Sequence, residues 1–274
     1  MRVRLSAMVT FSALIGFLIA PHQSRTDLLL LVAGVFFLAC GTSALNQIQE
    51  KERDKLMART KNRPLVAGHL SVRAAVIIVL LMLTIGSTSL ALVGWQPLLL
   101  GLANIFFYNA VYTPLKTRTP LAILPGALVG AIPPVMGWTA AGGSLIHPTI
   151  IYVAAFMLMW QLPHFWLLLV AYAKDYERAG FKRFPKFFSP QHIRPIIFSW
   201  TLLSSLFLFT FPLFGIHFQW AHVLLLTVIN TGFIGLFYFL LFHKELNPYN
   251  KKAFIVLNSY ALTILILFVW MFQS

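Results

Sequence analysis

Long apolar runs constrain this chain more than any other feature. Segments of roughly 17–25 residues with few or no charges recur along its 274 residues, and a helical run of that length matches the hydrocarbon thickness of a bilayer. Candidate spans fall at roughly 5–20, 28–47, 72–94, 96–113, 120–140, 149–173, 195–216, 220–243 and 253–272. The loops between them hold at most about 24 residues, too few for a separate soluble domain. The expected fold class is all-α: a polytopic membrane protein whose nine transmembrane helices form a single embedded bundle over residues 1–274.

Charge gives the orientation. Of 21 Lys and Arg residues, every one but Arg25 falls on the same side when nine spans are threaded. The positive-inside rule places that side, with the N-terminus, in the cytoplasm and the C-terminus outside. The formal net charge of +14 then reflects topology, and a basic cytoplasmic face also attracts anionic lipid and diphosphate ligands. It gives no reason to expect nucleic acid. Trp95, Trp138, Trp220 and Trp270 sit near the outer ends of spans, as an interfacial belt requires. A single cysteine, Cys40, excludes an intramolecular disulfide and a cysteine-rich metal site. Met1 leads almost directly into the first span with no cleavable signal and no Arg/Ser-rich presequence, so a bacterial inner membrane is expected rather than an organelle.

Against this apolar background the acids stand out. Five of the seven lie at the inner ends of two spans: Glu50, Glu52 and Asp54 in one loop, Asp175 and Glu177 in another. Solvated helix ends with i,i+4 pairs would be the ordinary explanation, but topology is insensitive to acids, so the rule that accounts for Lys and Arg leaves these clusters unexplained. Asn46, Glu50 and Asp54 are spaced four apart. On a helix they advance about 40° per step and form an oxygen-bearing stripe roughly 12 Å long, able to hold a divalent cation. Arg59, Lys61 and Arg63 follow, and with a cation they would cradle a phosphorylated substrate.

Four stretches resemble the UbiA-type intramembrane prenyltransferases, and within them the branch that farnesylates haem. The first is Asn46-x3-Glu50-x3-Asp54-x2-Met57-x-Arg59-Thr60-x2-Arg63-Pro64-Leu65-x2-Gly68. The second is Tyr112-Thr113-Pro114-Leu115-Lys116, followed by Gly126-x3-Gly130-x2-Pro133-Pro134-x2-Gly137-Trp138. The third is Trp160-Gln161-x-Pro163-His164-Phe165, and the fourth is Asp175-Tyr176-x2-Ala179-Gly180. Two departures stand beside them: Ala179 occupies the place of a second-motif acid, and the chain after Gly180 reads FKRFPKFFSP. The resemblance implies farnesyl diphosphate and haem b as substrates, Mg²⁺ as cofactor, and an active site facing the cytoplasm. It further implies that water completes the addition, and that haem A synthase or the assembly of a terminal oxidase is a downstream partner.

Departure of an allylic diphosphate needs its developing charge neutralised, which Mg²⁺ does through carboxylates and phosphate oxygens. Asn46, Glu50, Asp54 and Asp175 are the candidate ligands. Lys116, Arg59, Arg63, Lys174 and Arg178 are expected to contact the diphosphate, with Tyr112 one turn before Lys116 on the same face. Tyr112 alone would read as an interfacial anchor. His164 is the histidine placed well inside a span, where polar groups are costly and often functional; with Trp160 it is a candidate haem contact, against the simpler reading of an interhelical hydrogen bond beside Pro163. If the sixth helix ran on to Asp175, that residue would share a face with His164 within about 20°. Pro133 and Pro134 are expected to break the fifth helix. A relative that prenylates a quinone-precursor ring, and a non-catalytic carrier or cofactor-assembly protein, are the alternatives at this point.

Overall fold

The structure, a computed structural model, describes residues 2–21, 24–180, 190–243 and 251–273. In chain order its helices are α1 (Val3–Ile19), α2 (Arg25–Gln49), α3 (Lys51–Asp54), α4 (Val72–Val93), α5 (Trp95–Ile105), α6 (Thr113–Leu115), α7 (Ile123–Ala140), α8 (Pro148–Ala171), α9 (Ala173–Arg178), α10 (Pro190–Phe207), α11 (Trp220–Phe242) and α12 (Lys251–Gln273). A π-helical turn, Phe106–Tyr112, joins α5 to α6. Among the described residues, eight helical stretches are long and apolar enough to cross a membrane, and α1 is a shorter apolar helix of 17 residues. Ser24 caps α2 by accepting from the Asp27 amide, and Ser71 caps α4 by accepting from that of Ala74, each satisfying one of the orphan donors of a helix start.

Two compact units are present. One contains α1–α7 and, from Lys174, α9; the other contains α8 and α10–α12. In the first unit α2 packs along α4, and α1 against α7. Both crossings depend on glycine: a Cβ on Gly86 of α4 would lie 2.7 Å from the Leu38 amide nitrogen, and one on Gly137 of α7 would lie 2.7 Å from that of Phe17. Small residues permit this backbone approach where lipid supplies no hydrophobic driving force between helices. In the second unit α8 packs against α10 and α12. Tyr152 is fully buried there, stacks on Phe207 and donates its hydroxyl to the Leu208 carbonyl at 2.6 Å.

Two expectations are corrected. α7 runs unbroken from Ile123 to Ala140 through Pro133 and Pro134; each proline removes one backbone bond, which a helix packed inside a bundle tolerates. α8 ends at Ala171, with Tyr172 at φ −116° and ψ 22°, so the helical phase linking His164 to Asp175 does not exist. Trp138, near the end of α7 as its spacing implied, is buried, its indole N–H donating to the Ser144 carbonyl at 2.9 Å, whereas Trp95, Trp220 and Trp270 are exposed. The sequence FKRFPKFFSP, apart from its last residue, lies outside the described residues.

Candidate active site

The site of the first unit is built on the end of α2. Asn46, Glu50 and Asp54 are only 3, 5 and 1% exposed. Their stripe is not one straight helix, because α2 stops at Gln49 and Glu50 adopts φ −105° and ψ 8° before the short α3. The i→i+4 bonds nevertheless continue through the bend, from the Glu50 amide to the Asn46 carbonyl (3.0 Å) and from the Asp54 amide to the Glu50 carbonyl (2.8 Å). The three oxygens' side chains thus keep the register that their spacing implied.

Each buried acid meets a base. Asp54 Oδ2 pairs with Arg63 Nη1, and the chain between them is folded back by Thr60, whose hydroxyl donates to the Asp54 carbonyl at 2.9 Å. Glu50 Oε1 lies 2.7 Å from Lys116 Nζ. Burial pushes the Lys116 ammonium below its ordinary value, with Glu50 acting in the opposite direction; Arg63 is likewise lowered, by burial first and then by the charge of Arg2. Buried charges of this kind persist only when paired, since removing one partner leaves an uncompensated ion.

Lys116 reaches Glu50 because of the turn that precedes it. Pro114 lacks an N–H, and the Thr113 amide bonds the Tyr108 carbonyl five residues back, the signature of the π turn. The Thr113 hydroxyl donates to the same carbonyl at 2.8 Å and accepts from the Asn46 side-chain amide at 3.0 Å. A second tie lies one turn away, where the Asn109 side-chain amide donates to Gln49 Oε1 (3.0 Å) and Gln49 Nε2 donates to the Asn109 carbonyl (3.1 Å). The end of α2 is therefore fixed in register with the π turn. Tyr112 stacks on Tyr108, and Lys116 Nζ sits 5.1 Å from the centre of the Tyr112 ring, as the spacing of Tyr112 and Lys116 predicted.

Asp175 belongs to the same unit but serves a different geometry. Its two carboxylate oxygens accept from the backbone amides of Ala58 (3.3 Å) and Arg59 (3.4 Å), while Met57, Ala179 and Tyr176 pack together beside this contact. Asp175 thereby ties α9 to the loop that carries Arg59 and Arg63. Arg59, Lys174 and Arg178 are exposed. His164 and Trp160 lie on α8 in the second unit: His164 Nδ1 is 3.0 Å from Asn258 Oδ1, and the Trp160 indole N–H donates to the Leu257 carbonyl at 3.1 Å.

Sequence reading assigned no role to Arg2, whose charge is felt at Arg63 and Lys116, nor to Gln49, Asn109, Thr113 and Asn258, whose hydrogen bonds tie elements together. A lone Asn inside an apolar run is the signal that would have found Asn258. Among the described residues no three His, Cys, Asp or Glu side chains converge into a metal cage. Mg²⁺ needs none, because it is usually held by one or two carboxylates, waters and substrate phosphates. The residues fit such an ion: Asp54 Oδ1 is buried without a hydrogen-bond partner, an orphan acidic oxygen that a cation would satisfy.

Helices of membrane length thus carry two buried carboxylate–cation pairs, Glu50–Lys116 and Asp54–Arg63, gathered at the end of α2. The chain belongs to the UbiA prenyltransferase family, whose model matches residues 9–272, and it is a multi-pass membrane protein. It is 44% identical over 183 residues to the protoheme IX farnesyltransferase of Geobacter sulfurreducens, covering 67% of this chain and 68% of that one. The protoheme IX farnesyltransferase of Oleidesulfovibrio alaskensis is 37% identical over 214 residues, 78% of this chain and 76% of the relative. Among solved structures, one of a digeranylgeranylglyceryl phosphate synthase superposes with a TM-score of 0.77 at 17% identity, covering 99% of this chain and 95% of that one. A UbiA homologue from Archaeoglobus fulgidus bound to GPP and Mg²⁺ gives 0.74 at 15% identity, covering 98 and 96%. These two likenesses establish the fold.

Proposed function

We propose that this protein transfers a farnesyl group from farnesyl diphosphate to a vinyl group of haem b, with addition of water, giving haem O and diphosphate. The observation that carries this reading is the doubled ion pair Glu50–Lys116 and Asp54–Arg63 in a chain 44% identical to a protoheme IX farnesyltransferase. Glu50 and Asp54 are assigned the metal directly, and Asn46 and Asp175 the placing of the segment that carries them. When bound, Mg²⁺ neutralises charge developing on the leaving diphosphate. Lys116 and Arg63 contact the diphosphate oxygens, with Arg59, Lys174 and Arg178 at the exposed entrance. The C1–O bond of the farnesyl donor breaks with its electron pair leaving on diphosphate. The haem vinyl π electrons form the new carbon–carbon bond, and water captures the resulting cation and loses a proton. Tyr112, beside the ammonium of Lys116, presents a π face to positive charge at this end of the site.

Nine crossings with a cytoplasmic N-terminus, an active site facing the cytoplasm of a bacterial inner membrane, one functional domain over the whole chain, and hand-over of product toward haem A synthase or a terminal oxidase complete the proposal; the one-sided distribution of Lys and Arg supports the orientation. The test is a choice of acceptor. Offered farnesyl diphosphate and Mg²⁺ with equal amounts of haem b and an aromatic quinone precursor, the purified protein should modify haem alone; prenylation of the ring compound with haem untouched would overturn the acceptor assignment.

A further inference from the structure

We propose that Asn258 locks the tautomer of His164 and so presents the Nε2 lone pair of that histidine as an axial ligand to the iron of bound haem. The inference rests on haem being the acceptor. The hydrogen bonds around the amide settle its orientation. Asn258 Nδ2 donates to the Phe254 carbonyl at 2.5 Å, so Oδ1 is the atom that faces His164 Nδ1 at 3.0 Å. An amide oxygen only accepts, which makes Nδ1 the donor. In a neutral ring the proton is then on Nδ1 and the lone pair on Nε2.

The ring is also held in place. Trp160 and Phe254 flank it with centroids at 5.1 and 5.0 Å, and the Trp160 indole bonds the carbonyl of Leu257, the residue before Asn258. Two polar bonds thus pin one turn of α12 to α8. His164 is half-buried rather than sealed, and among the described residues Asn258 is its hydrogen-bond partner. A histidine that donates one ring nitrogen to a fixed oxygen has the arrangement of a metal-ligating imidazole, in which the outer partner sets ring orientation and basicity. α12, which carries no recognisable motif in the sequence, would on this account supply a positioning residue for the acceptor.

The experiment compares haem b with metal-free protoporphyrin IX, each titrated into the full chain in detergent. The wild type should bind haem with the optical and EPR signature of histidine ligation. His164→Gly should lose that signature, weaken haem at least about 10-fold and leave protoporphyrin binding unchanged, and added imidazole should restore the signature. Asn258→Leu should weaken haem by about 10–100-fold, the usual cost of removing an outer partner, and shift the iron–histidine stretch of the ferrous form. Asn258→Asp, which keeps the acceptor oxygen, should retain ligation. Equal weakening of both porphyrins in His164→Gly, or an unshifted stretch in Asn258→Leu, overturns the proposal while leaving haem as acceptor. A wild type that binds neither porphyrin overturns the acceptor reading and this inference together.

Discussion

The two acidic stretches of the first unit put the same residue types to different use. From Asn46 to Arg63 the key carboxylates lie beneath the surface, Glu50 against Lys116 from farther along the chain and Asp54 against Arg63 of the same stretch. From Lys174 to Arg178 the basic side chains stay at the surface, and Asp175 accepts from two backbone amides of the other stretch. The first stretch holds its ions at a desolvation cost, since an apolar pair of similar size would often be as stable. The second holds a loop in place. A carboxylate's sequence context reports neither burial nor partner, and those decide whether it can serve a metal or a backbone.

The largest effect that would sharpen this contrast is expected at Asp54. Asp54→Asn keeps an acceptor toward Arg63 but removes the charge, and turnover should fall at least about 100-fold, the scale of losing one preorganised electrostatic contact, with the folded protein still recovered from membranes. Near-normal activity would break the assignment of the buried stretch to chemistry. Lys116 follows. Its folded value lies below that of the unfolded chain, so between the two values the unfolded state binds more protons and stability rises with pH. Diphosphate binding needs the cation and runs the other way: KM for farnesyl diphosphate should climb on the alkaline side, and Lys116→Arg should postpone the climb because a guanidinium does not titrate there. A flat KM in the wild type up to pH 10, close to the ordinary lysine value, would contradict the role.

Asp175→Asn should be milder than Asp54→Asn. An amide accepts one of the two backbone bonds, so about 1 kcal/mol of loop ordering is at stake, visible as earlier proteolysis of the loop after α3 and a partial loss of rate. If it equals Asp54→Asn in severity, Asp175 is acting on the metal and the contrast collapses. The smallest effect belongs to Glu52, which pairs with Lys55 at 2.6 Å on the surface; Glu52→Gln should leave both melting temperature and activity unchanged within error, as exposed pairs contribute little.

Much of this was legible in the sequence because it is local. Apolar runs announced the spans, and the four-residue spacing of Asn46, Glu50 and Asp54 survives in i→i+4 bonds even though α2 bends at Glu50. Tyr112 and Lys116 meet as their spacing foretold. What was illegible is set by partners far along the chain. Asn46 finds Thr113 at 67 residues' separation, and His164 finds Asn258 at 94; no periodicity encodes either. The end of α8 at Ala171 depends on backbone torsion, so counting along an assumed continuous helix misplaced Asp175 relative to His164.

If Asp54 and its neighbours form a metal–diphosphate site, one measurement tests it most directly. Wild type and Asp54→Asn are incubated with haem b, farnesyl diphosphate and Mg²⁺, with and without chelator, and haem is analysed by mass spectrometry. The prediction is haem carrying one farnesyl group plus water from the wild type with Mg²⁺ alone. Product that survives chelation, or that Asp54→Asn forms at the wild-type rate, would contradict it.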